Sequence, residues 1–303
     1  MKNENYFMIH KSLIAVFAFL IIGGSSFAQN EKLGYGFRAG ASISTFNGPS
    51  EIGPNGESLE SWKNAKGFHI GAAVSYKVTD LFGARTEFVY SQRGTIYDYK
   101  GPSYYVLGRG NVFTTTVDGT RTQTLKVSNT YFDVPLMVYY KIGLFEISGG
   151  LNSGLLISSS AGGSTDFEGI SGLGNPIVPF PFQVGLNHNY KKDKAGGASE
   201  ETFNVTIDGG FPYTVPETVY AYYEFPVKDK NLYKTLDFGL VGCVSVFLNE
   251  GLFFSARYVH GLGDVDDNLY DVSLQSLNTD DSFKQRADKN TSRSWQFSVG
   301  FSF

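Results

Sequence analysis

The sequence predicts an all-β protein: an eight-stranded antiparallel up-and-down transmembrane β-barrel with long extracellular loops. Three observations predict it. First, Trp295, Phe297, Val299, Phe301 and Phe303 occupy every second position at the end of the chain, with Ser294, Gln296, Ser298, Gly300 and Ser302 between them. Side chains on a strand alternate between faces, so one face is large and apolar and the other small and polar. Second, eight such stretches occur, and their connections alternate long, short, long, short, long, short, long. Every long connection therefore falls at one end. A soluble sandwich has no reason to sort its loops by parity, whereas a transmembrane barrel pairs short turns with long outer loops. Third, the composition fits: 303 residues hold 36 Gly, 26 Phe and 19 Tyr, and only 18% are charged, below the usual quarter. The mean hydropathy of -0.14 does not oppose this, because only half of each barrel strand would face lipid.

The first predicted strand runs from Leu33 to Phe46, with Tyr35, Phe37, Ala39, Ala41 and Ile43 outward and Arg38 inward. A polar stretch containing Pro49, Gly53, Pro54 and Gly56 leads to about Lys66. The second strand, Gly67 to Val78, sets Phe68, Ile70 and Val74 outward and His69 and Ser75 inward. After a tight turn at Thr79-Asp80, the third strand, Leu81 to about Gly94, turns Phe82, Phe88 and Tyr90 outward. It turns Arg85, Glu87 and Arg93 inward.

An excursion from Thr95 to about Asn129 follows, and within it Val112 to Val127 reads as a hairpin about Asp118-Gly119, a favoured two-residue turn. The fourth strand, Thr130 to Lys141, places Asp133 inward. Its Pro135 cannot donate to a ladder and should mark a bulge or a local break in pairing. After Ile142-Gly143 the fifth strand runs from Leu144 to Ser158 with Glu146 inward. The region from Ser159 to about Tyr233 is long, rich in Pro and Gly, and reads as irregular, with a second hairpin-like passage at Asp208-Gly209-Gly210. Its many aromatics argue for local order, and the two hairpin-like passages could instead lengthen existing strands above the membrane or raise the strand count to ten. The sixth strand, Lys234 to Phe247, carries Asp237 inward; the seventh, Leu252 to Gly261, carries Arg257 inward. An acidic loop from about Gly263 to Asn290 leads to the last strand.

The N-terminus reads as a signal peptide. Lys2 and Lys11 flank an apolar run, Leu13 to Ile22, too short to span a bilayer as a helix. Ser26-Phe27-Ala28 supplies small residues for cleavage after Ala28. The expected organisation is a cleaved segment, 1–28, and a barrel domain, 29–303, with a loop insertion at 159–233. Cleavage removes Lys2, Lys11 and Glu4, making the mature chain slightly more acidic than the whole-chain net charge of -4. That balance argues against nucleic acid as a partner. The single cysteine, Cys243, forms no intrachain disulfide and no cysteine cage for a metal. It reads as a small strand residue.

Several stretches together resemble the PorT-like outer-membrane β-barrel proteins common in relatives of the Bacteroides group. These are Glu87-Phe88-Val89-Tyr90-Ser91-Gln92-Arg93-Gly94, Tyr131-Phe132-Asp133-Val134-Pro135-Leu136, Asp237-Phe238-Gly239, Ala256-Arg257-Tyr258 with Gly261-Leu262, and Ser298-Val299-Gly300-Phe301-Ser302-Phe303. The resemblance covers strands and not loops. It implies an eight-stranded barrel in the Gram-negative outer membrane and little about activity, although one branch takes part in protein secretion. The terminal aromatics, Phe301 and Phe303, also resemble the signal that barrel-assembly machinery reads.

Four constellations carry chemistry. Arg38, Arg85, Arg93 and Arg257 face inward, as do Glu87, Asp133, Glu146 and Asp237. An eight-stranded barrel is just wide enough for side chains to fill, so these eight read as an ion-pair plug in preference to a channel. His69 is the one histidine placed well inside a strand, and Ser75 lies about 20 Å along it, too far for a nucleophile–base pair. His260 and His188 complete no triad. Asp264-Val265-Asp266-Asp267-Asn268 begins like a calcium loop, but Leu269 and Gln275 stand where Gly and Glu belong. The aromatic outer loop could contact a protein or a glycan, or fold down as a lid. The expected protein is non-enzymatic and without cofactor, embedded in outer-membrane lipid, with a binding or assembly role through its loops. A small-solute channel and a barrel hydrolase are the rivals.

Overall fold

The computed structural model describes residues 32–107, 115–170, 179–207, 211–286 and 288–303. The signal-peptide reading of 1–28 lies outside these residues. The barrel strands are β1 (Leu33–Asn47), β2 (Glu60–Lys77), β3 (Phe82–Leu107), β4 (Thr115–Ile142) and β5 (Phe145–Ile170). After β6 (Pro179–Asn189), β7 (Thr202–Ile207), β8 (Phe211–Pro216) and β9 (Thr218–Val219), the ring resumes with β10 (Leu236–Phe247), β11 (Leu252–Gly261) and β12 (Thr291–Ser302). Each of the eight ring strands pairs antiparallel with its neighbours. β5 pairs with β10 across the insertion, and β12 closes on β1 from Gly36↔Ser302 to Asn47↔Thr291. The chain therefore closes an up-and-down barrel with no free edge in its lower half, which is what a backbone surrounded by hydrocarbon requires.

Alternation sorts the side chains. Phe37, Phe68, Phe88, Leu136, Leu151, Phe238, Phe254, Phe297 and Val299 are exposed on the outer face of the lower barrel, while Arg38, His69, Glu87, Asp133, Glu146 and Arg257 are buried within it. Burying such an apolar band needs a lipid environment, because monomeric soluble proteins rarely leave so large a patch in water. Rings edge the band: Phe37 stacks on Phe301 at 6.2 Å at the end carrying the short turns, and Trp295 meets Tyr258 at 4.8 Å near the other. Gly143, in the turn between β4 and β5, has φ +59°, a left-handed conformation that costs a Cβ-bearing residue about 1–2 kcal/mol. Gly143→Val is therefore expected to lower the urea midpoint of the refolded barrel, measured by the gel shift between folded and unfolded chains, and to leave the barrel silent in the bilayer.

The structure departs from the sequence reading above the belt. The stretch Thr95–Asn129 is not an excursion with its own hairpin. The passage lengthens existing strands, the alternative the sequence left open: β3 and β4 continue through it and pair without interruption from Gln92↔Thr130 to Leu107↔Thr115. Asp118 and Gly119 lie inside β4, opposite Tyr104 and Ser103. Gly119 is there for close approach and not for a turn, since a Cβ would stand 2.3 Å from the Glu168 carbonyl oxygen. β2 begins at Glu60 and not at Gly67, with an irregular register between Asn64 and His69. The region 159–233 is also more regular than predicted. β5 runs on to Ile170 with one register shift near Thr130/Tyr131, β6 pairs along it, and β7 and β8 form a separate hairpin. The residues Asp208-Gly209-Gly210 lie outside the described ones. At Pro135 the β3–β4 ladder is interrupted: Thr86↔Leu136 and Val89↔Asp133 pair in one register, with no pairing between them.

The molecule thus has two storeys. The lower is the closed ring. The upper is built by the extensions of β2 to β5, by β6 to β9, and by loops 48–59, 220–235 and 262–290. It has its own apolar core, including Phe46, Leu59, Tyr97, Leu125, Phe167, Phe182, Tyr222 and Tyr233.

Candidate functional site

The eight inward charges form three tiers. At the short-turn end, Arg85 on β3 donates through both terminal nitrogens to Glu146 on β5, at 2.6 and 2.9 Å. Its guanidinium also lies 5.0 Å from the centre of the Tyr139 ring. One tier up, Glu87 accepts from Arg257 at 2.6 Å and stands 3.7 Å from Arg38. At the third tier Arg93 bridges Asp133 at 2.7 Å and Asp237 at 2.9 Å and stacks 4.1 Å over Tyr131. Asp133 also accepts from Ser91 and from Asn152 Nδ2. Four cations meet four anions, and each member has an opposite charge within reach, which is the condition for keeping charges in a dry interior.

Neutral groups fill the remaining wall. His69 is held between two hydroxyls, Ser42 at 3.0 Å from Nδ1 and Ser298 at 2.7 Å from Nε2, and Arg38 donates to the same Ser298 at 2.7 Å. No carboxylate touches this imidazole in the described structure, and it is 1% exposed. It therefore has neither the orienting acid nor the access to substrate of a hydrolytic histidine. The sequence reading weighed Ser75 as its partner and missed Ser42 and Ser298. Their strand positions were legible, but which strands adjoin was not. The void beside Arg38, Arg85 and Glu87 measures about 20 Å3, room for roughly one water. Several buried atoms there and above, including Arg38 Nε, Arg257 Nε and Gln296 Oε1, make no hydrogen bond to protein. They are natural places for single waters.

The upper storey holds the larger space, a cavity of about 220 Å3. Rings from Trp62, Tyr97, Tyr105, Tyr233 and Tyr270 line it, with Glu60, Arg121, Asp266, Asp271 and Arg286. Most of its charge is compensated. Glu60 accepts from Tyr97 OH and from Arg286 Nη1, each at 2.6 Å, and Arg121 lies 3.6 Å from Glu224. Two carboxylates are not. Burial first, then the neighbouring Asp264 carboxylate, pushes Asp266 up to about 7. Burial and then Asp288 push Asp271 up to about 9. His188, at 3.1 Å from Tyr190 OH, is pushed down to about 4 by burial.

The calcium-like run is dispersed. Asp264 pairs with Lys234 at 3.2 Å, Asp267 with Lys230 at 3.3 Å, and Asp266 turns inward to accept from Asn290 Nδ2 at 3.1 Å. Among the described residues no three acidic, His or Cys side chains converge as a metal ion would need. Cys243 is buried in the ring near Ser245. The upper cavity is the part of the site that sequence reasoning missed. A signal was present: Arg121, Gln123, Leu125 and Val127 continue the inward alternation of β4, but the Asp-Gly pair masked it.

The family described as "Outer membrane protein beta-barrel domain" matches residues 27–267. No curated protein matches the chain. Among solved structures that the chain matches, Ail, the attachment invasion locus protein of Yersinia pestis, is 11% identical, with a TM-score of 0.34 over 90% of this chain and 99% of that one. OprG from Pseudomonas aeruginosa is 11% identical, with a TM-score of 0.33 over 89% and 95%. The protease OmpT from Escherichia coli is 7% identical, with a TM-score of 0.29 over 91% and 97%.

Proposed function

We propose, from the premise that the chain belongs to the outer membrane protein β-barrel domain family and so sits in a Gram-negative outer membrane, that it is a sealed, non-enzymatic anchor whose upper storey does the binding. The observation that carries this reading is the balanced three-tier ion network with a void of only about 20 Å3 beside it. A solute path would have to part Arg93 from both Asp133 and Asp237. The absence of catalysis is supported by His69, which is buried between two serines. Residues 1–28 act as the export signal in this reading, and Phe301 and Phe303 present the terminal strand to the barrel-assembly machinery. The finer PorT-like kinship rests on the strand motifs alone. It would make the loop side an assembly or secretion accessory, binding a protein or a glycan.

The test is single-channel recording of refolded Gln29–Phe303 in planar bilayers. The unaltered protein is expected to be silent, and leak is expected in Arg257→Ala and Arg38→Ala, which open space beside Glu87. Steady openings in the unaltered protein would make it a channel.

A further inference from the structure

We infer that the upper cavity is a binding site for a small organic cation, an amine or quaternary ammonium, held between Asp266 and Asp271 and faced by aromatic rings. The inference rests on the reading of the upper storey as the binding half and gives its ligand a chemistry. Asp266 is 8% exposed, and its Oδ1 makes no hydrogen bond among the described residues, although Oδ2 is taken by Asn290. Asp271 Oδ2 is likewise buried with no N–H or O–H donor, and each carboxyl lies against another, Asp266 against Asp264 and Asp271 against Asp288. Both residues line the 220 Å3 cavity, and Trp62, Tyr233 and Tyr270 line it with them. Unpaired buried acceptors are costly, and charged ones more so, unless a donor or a cation arrives.

The local charge count selects the sign. Arg286 is engaged with Glu60 and Asp288, and Lys234 with Asp264. Among the described residues Asp266 is therefore left with no cation, and Asp271 with only the field of an Arg286 whose own ion pairs are to Glu60 and Asp288. A neutral ligand would leave the two carboxyls holding protons, whereas a cation would let them ionise against it. A metal ion would need three converging ligands, which the described residues do not supply. An organic cation needs only two carboxylates and the negative faces of aromatic rings, an attraction that strengthens when desolvated. The half-buried Glu224, Phe225, Leu232 and Asp271 at the cavity wall leave it reachable from solvent.

Binding should release protons. Asp266 is faced by Asp264, Asp288, Asp271 and Tyr233, and Asp271 by Asp288, Asp266, Tyr233 and Arg286. Raised carboxyls hold protons near neutrality, and a cation in their place displaces them. Affinity should therefore rise as pH increases from 6 toward 9.

The experiment is calorimetric titration of the full refolded barrel with benzylamine and, in parallel, with the neutral benzyl alcohol. Benzylamine is expected to bind about tenfold more tightly than the alcohol, and Asp266→Asn or Asp271→Asn to cancel that margin. Benzyl alcohol binding as well as benzylamine would make the cavity merely apolar and overturn the inference. So would absence of benzylamine binding, or unchanged affinity in both variants. Each variant is first checked for the folded gel band and for silence in the bilayer. Loss of silence would count against the sealed barrel, whereas loss of binding alone would count against this site.

Discussion

Arg93→Met is expected to destabilise the barrel by about 3–5 kcal/mol, the range for removing one partner from a buried ion pair. Arg93 is the cation shared by Asp133 and Asp237, which reach it from β4 and β10, the two strands that flank β5 at Gly154. Met fills much of the stem's volume, so the cavity effect is small and the electrostatic one dominates. What remains is two carboxylates in one buried tier, with Ser91 and Asn152 still donating to Asp133 and no cation within salt-bridge range among the described residues. The measurement is the urea midpoint of refolding into vesicles, read by the gel shift. The informative comparison is the triple variant Arg93→Met, Asp133→Asn, Asp237→Asn, which removes all three charges. It should recover roughly half of the loss, since replacing a whole buried ion cluster is far milder than breaking it. If the single variant refolds like the unaltered protein, water reaches this tier freely and the sealed interior is wrong.

The ring was legible in the sequence because a barrel strand states its own orientation. Period-two alternation identifies which residues face inward, and a closed ring of antiparallel strands leaves few ways to arrange them. Arg85, Glu87 and Arg93 could be assigned to the lumen from β3 alone. Who meets whom could not. The partnership of Arg93 with Asp237 spans 144 residues, and that of Arg257 with Glu87 spans 170. Each depends on strand stagger, which no local pattern encodes. The upper storey was legible only as one alternative, lengthened strands, and for another reason. There the strands keep their alternation, but Gly, Thr and Asp carry turn propensity, and long-range pairing overrides it. Gly119 pairs with Ser103 and Gly169, and its missing side chain admits the neighbouring strand. Glu60 and Arg286 meet across 226 residues from segments that the sequence reads as loop. A cavity assembled from such contacts has no one-dimensional signature.

The second tier yields a graded result. Among the described residues of the lumen, Glu87 is the one anion in ion-pair range of two cations, at 2.6 Å from Arg257 and 3.7 Å from Arg38. Glu87→Gln keeps the shape and removes the charge, leaving two guanidinium groups sharing a space with 3% side-chain exposure. Their repulsion adds to the lost attraction, so this variant should lose about 3–5 kcal/mol or more. Arg257→Met should lose less, because Arg38 remains near the carboxylate and can close the gap. Arg38→Met should lose least, because its contact with Glu87 is the longer one and the Arg257 bond survives. Its loss would still be felt at Ser298, where His69 keeps the remaining hydrogen bond. The expected order of urea midpoints is therefore Glu87→Gln lowest, then Arg257→Met, then Arg38→Met. Conductance should separate the same variants differently. Glu87→Gln, with two cations pushed apart, is expected to leak more to anions than to cations. Equal midpoints for all three would mean that these charges are hydrated individually and not paired. In that case the lumen is a narrow water column, and the silence expected of the unaltered barrel has to come from the upper storey.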